Sequence, residues 1–370
     1  MSEWKKVTLA DLCTDISYGY TASAKQVADG PKFLRITDIV PERINWDDVP
    51  YCIASEKDIK KYKLKNGDIV IARTGATTGH NKLIKNISFD AVYASYLIRY
   101  ELDGATAHPD FVGYVLRSTA WYDYVDAIAG GSAQPGANAK QLGSFELILP
   151  PISEQKAIAA VLSSLDDKID LLHRQNKTLE AMAETLFRQW FVEEAREDWE
   201  IKPLGDLFDI SSGKGIKKGQ LLESGLYPVL GANGEIGETN DYLFDERLIF
   251  TGRVGTLGNV FIIDQQKVWL SDNTLILRNI QWFYFIYFTL KFIDLGRYNV
   301  GSTQPLVRQS DIKEIRIAIP NGEKLNRFED FCESTFEKIN RNSKQINALE
   351  KLRDTLLPEL MSGETRVKRD

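Results

Sequence analysis

The stretch SEQKAIAAVLSSLDDKIDLLHRQNKTLEAMAETLFRQW, residues 153–190, decides the fold. Its apolar positions are Ile158, Leu162, Leu165, Ile169, Leu172, Leu179, Ala183, Leu186 and Trp190, with Asn176 standing in the same series. The steps alternate four and three without exception, which marks the seam of a helix that pairs with another helix. Ser153, which follows Pro150 and Pro151, is placed to cap that helix, and Lys156 stands where a capping-box glutamate would be. A second seam runs through Phe328, Cys332, Thr335, Ile339, Asn342, Ile346, Leu349, Arg353, Leu356 and Leu360. Thr335 and Arg353 interrupt it.

Each seam holds one asparagine near its middle, and the two sit at different heptad phases. If Leu162 is an a position, Asn176 is a and Asn342 is d. An antiparallel register that sets Asn176 against Asn342 also sets Ile158 on Leu360, Leu162 on Leu356 and Ile169 on Leu349. The same register sets Leu172 on Ile346, Leu179 on Ile339 and Trp190 on Phe328. A parallel pairing would leave Asn176 facing Ile346, an amide against an apolar side chain. A buried asparagine pair lowers stability but fixes register. The expectation is an antiparallel coiled coil roughly 35 residues long, or about 50–55 Å.

Outward from the helices, the chain is written twice. Trp4 to Leu12 reappears as Trp199 to Leu207 at an offset of 195, and each copy continues into Asp-Ile-Ser, at Asp15 and Asp209. Gly131-Ser-Ala-Gln-Pro135 matches Gly301-Ser-Thr-Gln-Pro305 at an offset of 170, which then holds into the helices. Between these anchors Arg73-Thr-Gly75 parallels Arg253-Val-Gly255. The second copy is therefore about 25 residues shorter, lost in its middle. Strand-like runs such as residues 68–72, 247–250 and 261–263 mix with helical stretches at 109–125 and 281–293. The fold class expected is α+β with mostly antiparallel strands, since no βαβ alternation is visible. The expected segments are an arm over 1–150, a helix over 151–196, an arm over 197–320 and a helix with tail over 321–370. Antiparallel helices with an arm at each end imply a pseudo-two-fold internal repeat. A coiled coil serves most often as an oligomerisation device; two similar arms on one coil suggest a ruler instead.

Composition narrows the function. With 370 residues, 43% hydrophobic and 26% charged, both arms can bury cores. Three scattered cysteines, Cys13, Cys52 and Cys332, point to reduced thiols in a cytoplasm. The opening residues alternate charged and apolar side chains, unlike a signal peptide. The most apolar run, residues 282–293, is too short to span a bilayer and contains Lys291; it reads as a buried helix. The net charge is −6, and neither arm is basic: residues 1–150 carry 17 basic and 18 acidic groups, residues 197–320 carry 13 and 16. That balance argues mildly against nucleic-acid binding and requires local basic clusters or a basic partner. His80, His108 and His173 are isolated, which gives no metal-ligand spacing. Neither a phosphate-binding Gly-x-x-x-x-Gly-Lys-Ser/Thr nor an adenine-methylation Asn/Asp-Pro-Pro-Tyr/Phe occurs. The expectation is a chain without catalytic residues, cofactor or metal.

Four short stretches carry a family resemblance: Trp4 with Leu9-Ala-Asp-Leu12, Leu149-Pro-Pro-Ile-Ser-Glu-Gln155, Leu186-Phe-Arg-Gln-Trp-Phe191 and Leu356-Leu-Pro-Glu-Leu-Met-Ser-Gly363. In this order, and duplicated, they resemble the specificity subunits of type I restriction-modification systems over essentially the whole chain. The second copy departs at its helix entry, where Pro320-Asn-Gly-Glu-Lys324 replaces Pro-Pro-x-x-Glu-Gln. The resemblance implies that each arm is a target recognition domain reading one half of a bipartite double-stranded DNA sequence. It implies a coil that sets the gap and docks methyltransferase subunits, two of them, with a restriction subunit joining the complex. A DNA-free coiled-coil scaffold whose arms bind protein is the alternative.

Base readout needs Arg, Lys, Asn or Gln at base edges, with hydroxyls and amides on phosphates. The duplicated polar loops supply the candidates: Ser132 and Gln134 against Ser302 and Gln304, and Arg73, Thr74 and Thr77 against Arg253 and Thr256. Lys214, Lys217 and Lys218 form the most basic loop, a natural phosphate clamp. Tyr20 and Lys25 lie in its first-arm counterpart. Each loop also reads as a structural turn whose glycines satisfy the backbone, or as a solvated charge run.

Overall fold

Residues 69–72 and 248–252 are short, nearly unbroken apolar runs, as strands buried on both faces require. In the computed structural model, which describes residues 4–26, 28–129, 136–255, 257–293, 295–301 and 305–367, they are inner strands of two four-stranded antiparallel sheets. The first sheet runs Cys13–Tyr18, Leu97–Leu102, Ile69–Ala72, Asn81–Leu83. The second runs Asp209–Ser212, Thr274–Arg278, Leu248–Gly252, Val260–Ile263, in the same order and with the same directions. Each repeat adds an antiparallel ribbon, Lys5–Thr8 with Glu146–Leu149 and Glu200–Pro203 with Arg316–Ile319. Each also contains one parallel pair, Lys32–Leu34 with Ala91–Tyr93 and Tyr227–Gly231 with Trp269–Leu270. The fold is therefore mixed helix and sheet, built twice.

The shortening of the second copy is spread along the chain. The offset between equivalent residues is 194 at Gly19 and Gly213, 180 at Arg73 and Arg253, and 170 at Pro150 and Pro320. The first copy fills its extra length with helices Ile36–Ile39 and Glu56–Tyr62. The second carries a strand of its own, Gly234–Thr239, against Tyr227–Gly231. Pro109–Val115 and Thr119–Ala129 pack on the first sheet; the buried helix Phe283–Phe292 serves the second. Among the described residues no helix is long and apolar enough to cross a membrane.

The chain divides into two compact units, residues 1–171 with 345–370, and residues 172–344. This cuts across the four segments read from sequence, because each long helix, Ile152–Arg188 and Gly322–Ser362, gives part of its length to both units. In the first unit Ile158, Ala159, Leu162 and Leu360 join the core formed by Leu9, Ile71, Tyr100, Phe111 and Trp121, with Leu356 packed against it. In the second, Phe187 and Phe191 meet Phe285 and Phe328 at ring separations of 5.0–6.0 Å.

The helix entries correct one expectation. Ser153 does not cap the first helix; it lies inside it, exposed, and the Pro151 carbonyl accepts from the Glu154 and Gln155 amides. Pro151 already has the geometry of a helix start, so the first turn begins earlier. Gln155, fully buried, bonds the carbonyls of Thr106 and Pro150 and accepts from the His108 amide, which fastens the helix to its arm. The second helix starts on Asn321, whose side chain accepts from the Lys324 amide.

Both interruptions of the second seam have partners. In the first unit Arg353 pairs with Asp166 at 3.0 Å, and Asp166 also accepts from Arg117 and Tyr114. Burial raises the Asp166 carboxyl, but Arg117, Arg353 and Tyr114 together hold it below its ordinary value. In the second unit Thr335 donates to the Phe331 carbonyl of its own helix. There also Asn342, 1% exposed, donates to Asn176 Oδ1 at 2.8 Å, and Asn176 donates to Ser343 at 3.4 Å. Leu179 and Ile339 are half-buried in that unit. Leu172 and Ile346 are buried, on opposite sides of the division between units.

Candidate nucleic-acid interface

In each unit one end of the four-stranded sheet gathers three loops. The first strand of the sheet ends at Tyr18 or Ser212 and passes through a glycine, Gly19 or Gly213. A Cβ on either glycine would lie closer than 3.0 Å to backbone carbonyl oxygens, those of Tyr93 and Ala94 or of Leu270 and Ser271. Only glycine lets the two chain segments approach this closely. Beside them the inner strand ends at Arg73 or Arg253, and the segment after the Gly-Ser-x-Gln loop returns at Ala137 or Val307.

The main-chain bonds joining these loops match pair by pair. Arg73 donates its amide to the Tyr96 carbonyl and accepts from Ala137; Arg253 donates to Asn273 and accepts from Val307. Gly19 donates to Leu97 and Gly213 to Thr274; Tyr20 donates to Tyr93 and Lys214 to Leu270. Thr74 bridges to Gly136, as Val254 does to Leu306. Each arginine and the base of each Gly-Ser-x-Gln loop are thus brought together. Ser132, Gln134, Thr256, Ser302 and Gln304 lie outside the described residues.

Side chains at these matched positions differ. Arg73 bonds the Ser95 carbonyl at 3.1 Å and lies over the Tyr18 ring at 5.1 Å, and the Tyr18 hydroxyl accepts from the Ala139 amide. Arg253 instead reaches Ser212 at 3.4 Å, which also accepts from Gln309 at 3.0 Å. Thr77 contributes its carbonyl to His80. Tyr20 packs on Tyr62 at 5.3 Å, and Lys25 pairs by its main chain with Tyr51, so neither side chain is tied to the arginine loop. In the second arm Lys214, Lys217 and Lys218 are exposed, and the Lys214 carbonyl accepts from Trp269 Nε1. Their loop lies against Asp272, whose carboxylate is 3.5 Å from where a Gly215 Cβ would stand.

Sequence reading passed over Tyr96, Asp272 and Asn273, because residues 94–96 and 271–273 share no side chain at matching positions. Among the described residues no cluster of three or more His, Cys, Asp or Glu could hold a metal.

Comparison with known proteins agrees with this duplication. Residues 1–181 and 196–351 match the profile of the family described as the type I restriction modification DNA specificity domain. The type I restriction enzyme MjaIX specificity subunit of Methanocaldococcus jannaschii is 29% identical over 344 residues, covering 82% of this chain and 76% of the relative. The putative MjaX specificity subunit of the same organism is 24% identical across 99% of this chain and 94% of its own. A crystal structure of a type I restriction-modification S subunit from M. genitalium superposes with a TM-score of 0.66 at 19% identity, covering 97% of this chain and 96% of that one, and so shares its fold. The chain belongs to the family of type I restriction-modification DNA specificity subunits.

Proposed function

We propose that this chain is the sequence-reading subunit of a type I restriction-modification complex, each arm reading one half of a bipartite double-stranded DNA target. The observation that carries it is the duplicated main-chain frame around Arg73 and Arg253, which presents different side chains from the same place in each unit. Two equal frames with unequal side chains suit two half-sites of unequal sequence. Phosphates would be met by Lys214, Lys217 and Lys218 in the second arm and by Lys25, with Thr74 and Thr77, in the first. Tyr20 would support its loop by packing.

The long helices are the proposed spacer, paired as an antiparallel coiled coil whose register rests on Asn176 and Asn342. The bond between those asparagines and the 37- and 41-residue lengths of the helices support it. The same helices would dock two methyltransferase subunits, and a restriction subunit would join that cytoplasmic complex. Methylation and cleavage then belong to the partners, and this chain needs no catalytic residue, cofactor or metal of its own. A net charge of −6 fits a reader that gains affinity from those partners. The acidic balance of both arms also favours a second reading, a DNA-free scaffold.

Methylome sequencing of a host expressing the chain with its modification subunits separates the two readings. A split motif with two fixed halves and a constant gap, present only with the chain, is the expected result. No chain-dependent motif would favour the scaffold.

A further inference from the structure

The tight turns at residues 94–96 and 271–273 hold equivalent places that their sequences, Ala-Ser-Tyr and Ser-Asp-Asn, do not reveal. Each joins the second strand of the parallel pair to the strand beside the inner one. Ala94 donates its amide to the Leu34 carbonyl, and Ser271 donates to Leu230. Leu97 closes the first turn on Ala94, and Thr274 closes the second on Ser271. Arg73 and Arg253 hold the far side through Tyr96 and Asn273. The frame is stiffened where its glycines leave no slack and where these main-chain bonds tie both ends of each turn.

On that frame the outer positions point outward. Ala94 and Ser271 are buried, whereas Tyr96 is 57% exposed and Asp272 and Asn273 are exposed. Sites that read base edges need side chains held by a stiff backbone and free at their tips. The neighbours agree in chemistry: Arg73 and the Tyr18 ring lie beside the first turn, and the lysine loop lies against the second.

We infer that these turns are the specificity-determining elements of the two arms, with Tyr96 the reader in the first and Asn273, helped by Asp272, the reader in the second. This rests on the DNA-reading function proposed above. An asparagine amide matches the N6 donor and N7 acceptor of adenine in the major groove, and a carboxylate beside it accepts from the N4 amine of a neighbouring cytosine. A tyrosine ring offers apolar contact to the thymine methyl. Both readers therefore select an A·T pair, one in each half of the target.

The test is methylome sequencing with the assembled complex carrying Asn273→Ala or Tyr96→Ala. Asn273→Ala should lower discrimination at one A·T position of one half on the order of 5- to 150-fold, leaving the other half and the gap unchanged. Tyr96→Ala should relax one A·T position in the opposite half. Both side chains are exposed, so truncation leaves the core intact. Should an alanine variant fail to accumulate, Asn273→Ser and Tyr96→Ser, each of which removes the group that reads the base, probe the same positions. A motif identical to that of the parent chain overturns the inference, as do relaxation at a G·C pair and loss of all modification in a folded complex. If the parent chain itself yields no motif, the DNA-reading function fails instead, so the two failures are distinguishable.

Discussion

The two arms share a backbone and disagree in what they bury and expose. Asp68 stands at the start of the first arm's inner strand, 2% exposed; the equivalent residue in the second is Leu248, fully buried. Arg73 leans on a tyrosine, whereas Arg253 leans on a serine. Main-chain bonds between loops are kept pair by pair while side chains are replaced, even inside the core. The duplication preserves a frame, and specificity is free to diverge on it.

The frame is where that comparison can be broken with the largest effect. Gly19→Ala and Gly213→Ala should each cost about 3 kcal/mol in their own unit, because the added methyl meets backbone that cannot move aside. Hydrogen exchange on the full chain, read at Ile69–Ala72 and at Leu248–Gly252, reports each unit separately. Alanine tolerated at either glycine with a loss under about 0.5 kcal/mol would mean that the close approach is not shared.

Asp68 sharpens the comparison through pH. Burial pushes its carboxyl up to about 6, against the pull of the Lys65 amide and the nearby Arg99. Folded, the group keeps its proton to about pH 6; unfolded, it releases it near 3.8. The folded state thus binds more protons in that window, and this contribution to stability falls as pH rises from about 4 to 6. Asp68→Asn should remove the fall, with a gain on the order of 2 kcal/mol at pH 7 seen at Ile69–Ala72. The second arm, with leucine there, should lack this component. An unchanged pH profile in the variant would place the titration elsewhere.

The helices differ between units as the arms do. The first unit closes its helical contact with Arg353 and Asp166, the second with Asn342 and Asn176. Asn342→Leu alone should cost the second unit about 1–2 kcal/mol by removing the donor to Asn176 Oδ1. Adding Asn176→Leu should recover that loss or exceed it, as measured by thermal unfolding, with less defined register. A double variant as unstable as the single would show that the asparagines are not coupled. Smallest in stability, within about 0.5 kcal/mol, are Lys214→Ala, Lys217→Ala and Lys218→Ala. Each should lower the salt dependence of DNA binding by about one phosphate's worth, and an unchanged slope would remove that lysine from the contact.

Much of this was legible in sequence where periodicity or repeated residues carried it. The four-three seam located both helices and singled out Asn176 and Asn342, and the duplicated Arg-x-Gly pointed to loops that the structure joins. What sequence hid follows physical rules that leave no residue signature. The turns at 94–96 and 271–273 are equivalent through main-chain bonds, which any residue can make. Arg353 looked like a flaw because its partner, Asp166, is 187 residues away. Ser153 read as a cap because a serine before a helical run usually is one, yet Pro151 had already set the first turn. The parallel strand pairs lacked βαβ spacing, because the chain between partners passes through Ile69–Ala72 and Asn81–Leu83 in the first arm and through Leu248–Gly252 and Val260–Ile263 in the second.

The central claim is that the arms are independent readers on one frame. Exchanging residues 1–150 for the corresponding arm of a relative with a different target, in the complex with its modification subunits, tests it most directly by methylome sequencing. The account predicts that one half of the split motif changes while the other half and the gap remain. A change in both halves, or in neither, would contradict it.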